Sequence, residues 1–166
     1  IEDAAHALGA KYNGKYIGEI SEFTMFSFQA IKHLTTGDGG MLVFQNQDLL
    51  RKAQRLRWFG IDRTKKQMGI WENDITEVGY KYQMTDLGAS IGLASLKEFD
   101  KTLELRRSLM KQYISNIKET DDITILSKER DHNFHAAWLF TIRTKRRREL
   151  QVFLAQNGIE TNQVHY

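Results

Sequence analysis

Phe26-Ser27-Phe28-Gln29-Ala30-Ile31-Lys32 runs through His33-Leu34-Thr35 into Thr36-Gly37-Asp38-Gly39-Gly40. Aromatic residues at 23, 26 and 28, with Thr24 and Ser27 between them, read as a short buried strand. A single lysine stands just beyond that run and just before a glycine-rich turn. In such a place a lysine is partly desolvated, and its amine is neutral more often than that of an exposed lysine. A neutral amine is a nucleophile towards aldehydes, and the product is a Schiff base. From these residues alone, a strand-end lysine pointing into water is the plainer alternative.

The surrounding chain supplies an α/β context. Tyr12-Asn13-Gly14-Lys15 predicts a two-residue hairpin, because Asn-Gly supports the two positive φ angles of a type I′ turn. Met41-Leu42-Val43-Phe44 is continuously apolar, as a strand covered on both faces would be. Asn46 predicts a helix cap, with Leu49, Leu50, Ala53 and Leu56 at helical spacing and Gly60 as the stop. Residues 61–84 lose periodicity and read as a long irregular connection. Thr85 or Asp86 starts a second helix, whose buried side is expected to carry Leu87, Ile91, Ala94 and Leu96 or Phe99. A bend near Asp100 leads to a third helix, to about Lys118, marked by Leu103, Leu109, Tyr113 and Ile117. Strands are expected at 123–126 and 137–142, with a helix over 146–156 stopped by Asn157-Gly158 and an extended stretch from Ile159. Strand, helix and strand after a helical connector suggest a second, smaller α/β unit beginning near Thr120.

Composition narrows the classes. The 166 residues are 41% hydrophobic with three tryptophans, enough for a packed core rather than a disordered chain. A net charge of +3 spread over 24 basic and 21 acidic side chains gives no particular affinity for nucleic acid or membrane. No cysteine means no disulfide framework, thiolate metal site or thiol nucleophile, and no metal site is expected. No apolar run approaches membrane-spanning length, and a cytoplasmic setting is expected. Lys145-Arg146-Arg147-Arg148 is too short a basic run, without interleaved aromatics, to read as a nucleic-acid site, and is taken as a solvated face.

Glu2-Asp3-Ala4-Ala5-His6-Ala7-Leu8-Gly9-Ala10, Tyr12-Asn13-Gly14-Lys15, Phe26-Ser27-Phe28 with Lys32, and Gly37-Asp38-Gly39-Gly40 resemble the core of the DegT/DnrJ/EryC1/StrS sugar aminotransferases. Gly79-Tyr80-Lys81-Tyr82-Gln83-Met84-Thr85-Asp86 resembles a second motif of that family, and Gly158-Ile159-Glu160-Thr161 with His165-Tyr166 a third. The motifs come in family order across nearly the whole chain.

The resemblance implies a pyridoxal 5'-phosphate enzyme of fold type I, the aspartate aminotransferase class. It implies that residues 1–99 are the C-terminal part of the large cofactor domain, 100–119 a connecting helix and 120–166 the start of a small α/β domain. By the same resemblance Lys32 would anchor the cofactor as the catalytic lysine, and Asp3 would lie against its pyridine nitrogen. His6 would lie against the ring, and Ser27 would bind the phosphate. A protonated ring nitrogen makes the better electron sink, which is why a carboxylate suits that place.

Many family members have asparagine where Lys81 stands. Lys81, or Gln83 two residues on, is expected to reach the phosphate of a partner subunit's cofactor, a lysine acting there as a point charge. His165 stands where relatives contact a nucleotide-sugar substrate, and Trp58 could line the same site. The implied activity is amino transfer to a nucleotide-linked keto sugar, with glutamate as donor and a homodimer sharing its sites. The alternatives are a sugar dehydratase of the same fold, with histidine in place of the lysine, or a non-catalytic regulatory protein. Family members are longer at both ends, so the chain is expected to be part of a larger protein and to hold cofactor weakly alone.

Overall fold

The first paired strands lay the opening residues of the chain along the strand that leads to Lys32. In the computed structural model, which describes residues 1–71, 75 and 77–164, β1 (Glu2–Asp3) pairs parallel with β4 (Phe23–Ser27). Glu2 stands opposite Thr24 and Asp3 opposite Met25. Thr24 is fully buried, and its hydroxyl donates to Glu2 Oε2 over 3.0 Å. That bond satisfies a buried polar group and helps keep the register.

The Asn-Gly hairpin forms as expected. β2 (Lys11–Tyr12) and β3 (Lys15–Tyr16) pair antiparallel around Asn13 and Gly14, whose φ angles are 48° and 79°. β5 (Gly40–Phe44) returns antiparallel on the other side of β4, completing the sheet order β1-β4-β5. Gly40 is required here, because a Cβ would lie 2.7 Å from the Phe26 carbonyl oxygen. The expectation of a strand covered on both faces fails for β5. Among the described residues it is the edge of this sheet, and Met41 and Leu42 are exposed. The main core lies instead around Ala4, Phe26, Phe28 and Leu34, with Leu8, Ile17, Val43 and Phe99 packed against it.

Helix α1 (Gln47–Leu56) is capped by Asn46, whose side chain accepts from Asp48 and Leu49 amides. The connection after it is not wholly irregular: Asp62 caps a short helix, α2 (Arg63–Gln67), too polar to show an apolar period. Thr85 caps α3 (Asp86–Lys97), and a break at Glu98 separates it from α4 (Phe99–Asn116), the bend anticipated near Asp100.

The buried face of α3 corrects the sequence reading. Leu87 is 80% exposed, and Ile91, Ala94 and Leu96 are exposed as well. Gly88 and Gly92 are the buried residues, and Ser95 Oγ accepts the Thr35 amide. Close approach decided the face: a Cβ on Gly92 would come 2.8 Å from Thr36 Cγ2. The helix therefore lays its smallest residues on the glycine turn, and the leucines point away. On α4, Met110 is buried while Leu109 and Tyr113 are exposed.

In the last third, β6 (Ile123–Ile125) pairs antiparallel with β7 (Ile142–Thr144), and α5 (Arg147–Gln156) ends before Gly158 at φ 76°. The strand expected over 137–142 begins only at its last residue, because Ala137 has φ 56° and bends the chain. Phe153 on α5 is exposed, and 159–164 form no strand. The Lys145–Arg148 run is exposed, as a solvated face should be. No helix among the described residues is long and apolar enough to cross a membrane.

Candidate active site

Because β1 and β4 run parallel and in register, Asp3 and Ser27 both stand at the C-terminal ends of adjacent strands. Ligands of open α/β sheets bind at that edge. Asp3 Oδ1 accepts the Ala5 amide at 3.0 Å, and the resulting turn carries the chain to His6. Ser27 Oγ accepts the Gln29 amide at 3.4 Å, Gln29 Oε1 accepts the Ile31 amide, and the Gln29 carbonyl accepts the Lys32 amide. These bonds fold 29–32 into a compact turn rather than an extended segment. Thr35 and Thr36 fasten the next stretch, both hydroxyls donating to the Phe28 carbonyl and that of Thr36 also to Asp38 O. Lys32 is thus presented by a tied-down loop.

The charges confirm that Asp3, His6 and Lys32 share one neighbourhood. Burial of the amine pushes the Lys32 pKa below its ordinary value, and the Asp3 carboxylate opposes that shift. His6 is also pushed down, first by desolvation and then by Lys32, again against Asp3. Although His6 is largely exposed as a residue, its ring lies under the Trp138 indole at 3.9 Å between centroids, with planes 29° apart. Lys32 Nζ lies 3.7 Å from the centre of the same indole.

Trp138 was not marked in the sequence. It comes from the far end of the chain, and its Nε1 donates to the Ile31 carbonyl at 3.1 Å. Within Ala136-Ala137-Trp138-Leu139-Phe140 nothing local sets it apart from an ordinary strand aromatic. His33, next to the lysine, does not turn into this cluster. It is buried beside Arg106, Ala136 and Ala137, where burial pushes its pKa down to about 4, and its Nε2 has no hydrogen-bond partner among the described residues.

A cavity of about 320 Å³ opens beside His6, lined by Tyr12, Ile17, Glu129, Phe134, His135 and other residues. Its walls join the hairpin to the 128–136 segment, which is tied on by backbone bonds both ways between Lys11 and Phe134. Arg107 pairs with Glu129 at 2.8 Å, and the Glu129 carboxylate also accepts the His135 amide.

The other sequence candidates lie elsewhere. Lys81 is exposed and bridges Trp58 through the backbone, and Trp58 packs on Phe59 with Arg63 over its ring. Gln83 lines a separate cavity of about 380 Å³ with Thr36, Asp38, Gly39 and Gly88, and its Oε1 is buried without a partner among the described residues. Among the described residues no hydrogen bond, ion pair or ring contact joins Trp58, Lys81 or Gln83 to Asp3, His6 or Lys32. His165 lies outside the described residues.

The cluster suits a flat aromatic ring. His6 offers a ring face, Lys32 an amine beside it, and the Asp3 carboxylate acts on both bases. Pyridoxal phosphate needs the same set: an amine, a carboxylate for a ring nitrogen and a flat neighbour.

The pattern of the DegT/DnrJ/EryC1/StrS aminotransferase family matches residues 1–166. An uncharacterised protein of Methanocaldococcus jannaschii, MJ1066, is 41% identical over 146 residues, 86% of this chain and 38% of its own. GDP-perosamine synthase of Escherichia coli O157:H7 is 36% identical over 169 residues, all of this chain and 44% of its own. The crystal structure of AtS13 from Actinomadura melliaura superposes with a TM-score of 0.90 at 34% identity, over 99% of this chain and 44% of that one. Sugar aminotransferase CalS13 from Micromonospora echinospora gives 0.88 at 30% identity, over 97% and 43%. The chain therefore has the α/β fold of part of a sugar aminotransferase, and spans less than half the length of these relatives.

Proposed function

Since the chain belongs to the DegT/DnrJ/EryC1/StrS aminotransferase family, we propose that it carries the lysine-bearing part of a pyridoxal phosphate-dependent aminotransferase acting on a nucleotide-linked keto sugar. Glutamate is the donor in this reading. The observation that carries it is the convergence of Asp3, His6 and Lys32 at one sheet edge, in mutual electrostatic range. When bound, the cofactor supplies an electron sink for breaking the bond to the α-proton.

The residues of this chain do the rest. Lys32 holds the cofactor through Nζ and, once released, moves the α-proton as general base and then acid. The burial that depresses its pKa favours the base form needed for both roles. Asp3 keeps a ring nitrogen protonated, His6 supports the ring face, and Ser27 donates to the phosphate. Lys81 and Gln83 serve the site of a second copy, a role consistent with the absence, among the described residues, of any contact between them and Lys32. His165 and Trp58 remain the substrate-side candidates, and the cavity beside His6 takes part of the sugar. In this reading residues 1–99 belong to the cofactor domain, 100–119 connect, and 120–166 begin the small domain. The setting is cytoplasmic, in keeping with a chain free of cysteine.

Borohydride reduction of the cofactor-loaded protein, followed by peptide mapping, tests the assignment. The pyridoxyl mass is expected on Lys32, and Lys32→Ala is expected to abolish both the label and amino transfer from glutamate to a nucleotide keto-sugar. A label on another lysine, or transfer that survives Lys32→Ala, defeats it.

A further inference from the structure

We propose that Trp138 is a positioning residue for Lys32, holding the lysine and the loop that carries it in one placement beside His6. The proposal rests on the reading of Lys32 as the reactive lysine, but its own observations are separate. Trp138 contacts that loop twice: its indole face meets Lys32 Nζ at 3.7 Å, and its Nε1 donates to the Ile31 carbonyl at 3.1 Å. A third contact sets the ring on His6. The Trp138 carbonyl is held in turn by Arg106 Nη1 at 3.4 Å, so the residue is fixed at both ends.

The backbone is bent to deliver it. Ala137 takes φ 56°, a conformation that disfavours a side chain, and its amide donates to His135 Nδ1 at 2.8 Å. Ala136 and Ala137 are buried, which leaves the bend no room to relax. Local backbone strain held by the surrounding structure marks positions where a side chain has to be aimed.

The contact also bears on the chemistry. Among the described residues Lys32 makes no ion pair, so the neighbour its ammonium meets is the negative face of an aromatic ring. That face favours the charged form, as does Asp3 from β1. Desolvation favours the neutral amine, while the neighbouring imidazoles of His6, after β1, and His33, in the same loop, are held uncharged by burial. Trp138 thus offsets part of the burial effect while fixing where the amine sits.

The test uses the cofactor-free protein with Trp138→Leu and Trp138→Phe. Acylation of Lys32 is followed against pH by peptide mass, with hydrogen exchange of residues 29–33 read in parallel. Leucine removes the ring face, and Lys32 is expected to react about threefold faster below its pKa, its titration displaced downward. Phenylalanine keeps a face but loses the Nε1 donor, so the titration should stay near wild type while exchange at 29–33 rises. Unchanged Lys32 titration in Trp138→Leu overturns the proposal. So do equal changes in both variants that track a common loss of melting temperature, the signature of a packing role. Failure to find cofactor on Lys32 in the wild type would defeat the enzymatic reading instead, whatever the indole does.

Discussion

The Lys32 edge and the 79–83 stretch were marked by the same motif resemblance, yet the fold treats them differently. Asp3 and Ser27 are brought together by strand pairing, because two parallel strands in register must end at the same edge, and the turn after β4 sets Lys32 beside them. Lys81 and Gln83 sit on a connection whose contacts run to Trp58 and to the glycine turn. Backbone pairing is local in its logic and can gather residues 20 to 30 positions apart. A loop that serves another copy of the chain need not approach its own lysine at all. The comparison therefore separates candidates that one chain gathers at a sheet edge from candidates that it holds apart.

The largest effect is expected from mixing defects. Lys32→Ala alone should be inactive, and Lys81→Ala should lose about tenfold of activity, as for a charged hydrogen bond to phosphate. If the two residues serve different copies, coexpressing Lys32→Ala with the double variant Lys81→Ala, Gln83→Ala should restore about a quarter of wild-type sites. Half of a random dimer mixture is mixed, with one intact site in each mixed dimer. No recovery in steady-state assays of the mixture would place all of these residues in one copy's site and break the contrast.

The next effect concerns the far side of the Lys32 loop. His33 is buried with a pKa of about 4, below its unfolded value of 6.5. The unfolded chain therefore takes the proton first. Stability is whole above about pH 6.5 and falls as pH drops towards 4, by at most about 3 kcal/mol from this residue. His33→Leu should remove that share of the acid loss, measured by urea unfolding at pH 7 and pH 4.5. An unchanged difference between the two pH values would show that the loop is not sealed against the 136–137 bend.

The smallest effect separates the two faces of α3, which borders the turn between the two regions. Gly92→Val should cost about 2 kcal/mol by overpacking against Thr36. Leu87→Ala should change the stability of the chain by itself by less than about 0.5 kcal/mol. Thermal or denaturant melts of both decide it, and the reverse ranking would restore the apolar face as the buried one.

Much of this was legible from residues. Asn13-Gly14 could make little but a tight hairpin, since few other pairs accept two positive φ angles. Asn46 and Thr85 announced their helices through oxygen atoms placed to accept the first free amides. Lys32 and Asp3 stood out through their motif neighbours. The α3 face was misread because apolar spacing reports burial only when something covers the apolar side. Here two glycines allowed a closer packing than any leucine could. Trp138 left no local sign, because the partners of its indole lie more than a hundred residues upstream.

Sequence alone determined the local structures: the turn at Asn13, the caps and the strand through Phe26. Each depends on φ preference, hydrogen bonding or side-chain period over a few residues. Tertiary structure alone decided that β5 would be an edge, that α3 would turn its glycines inward, and that Trp138 would lie over His6 and Lys32. Those outcomes depend on which surfaces meet, and close packing between distant segments is written in no single stretch of the chain.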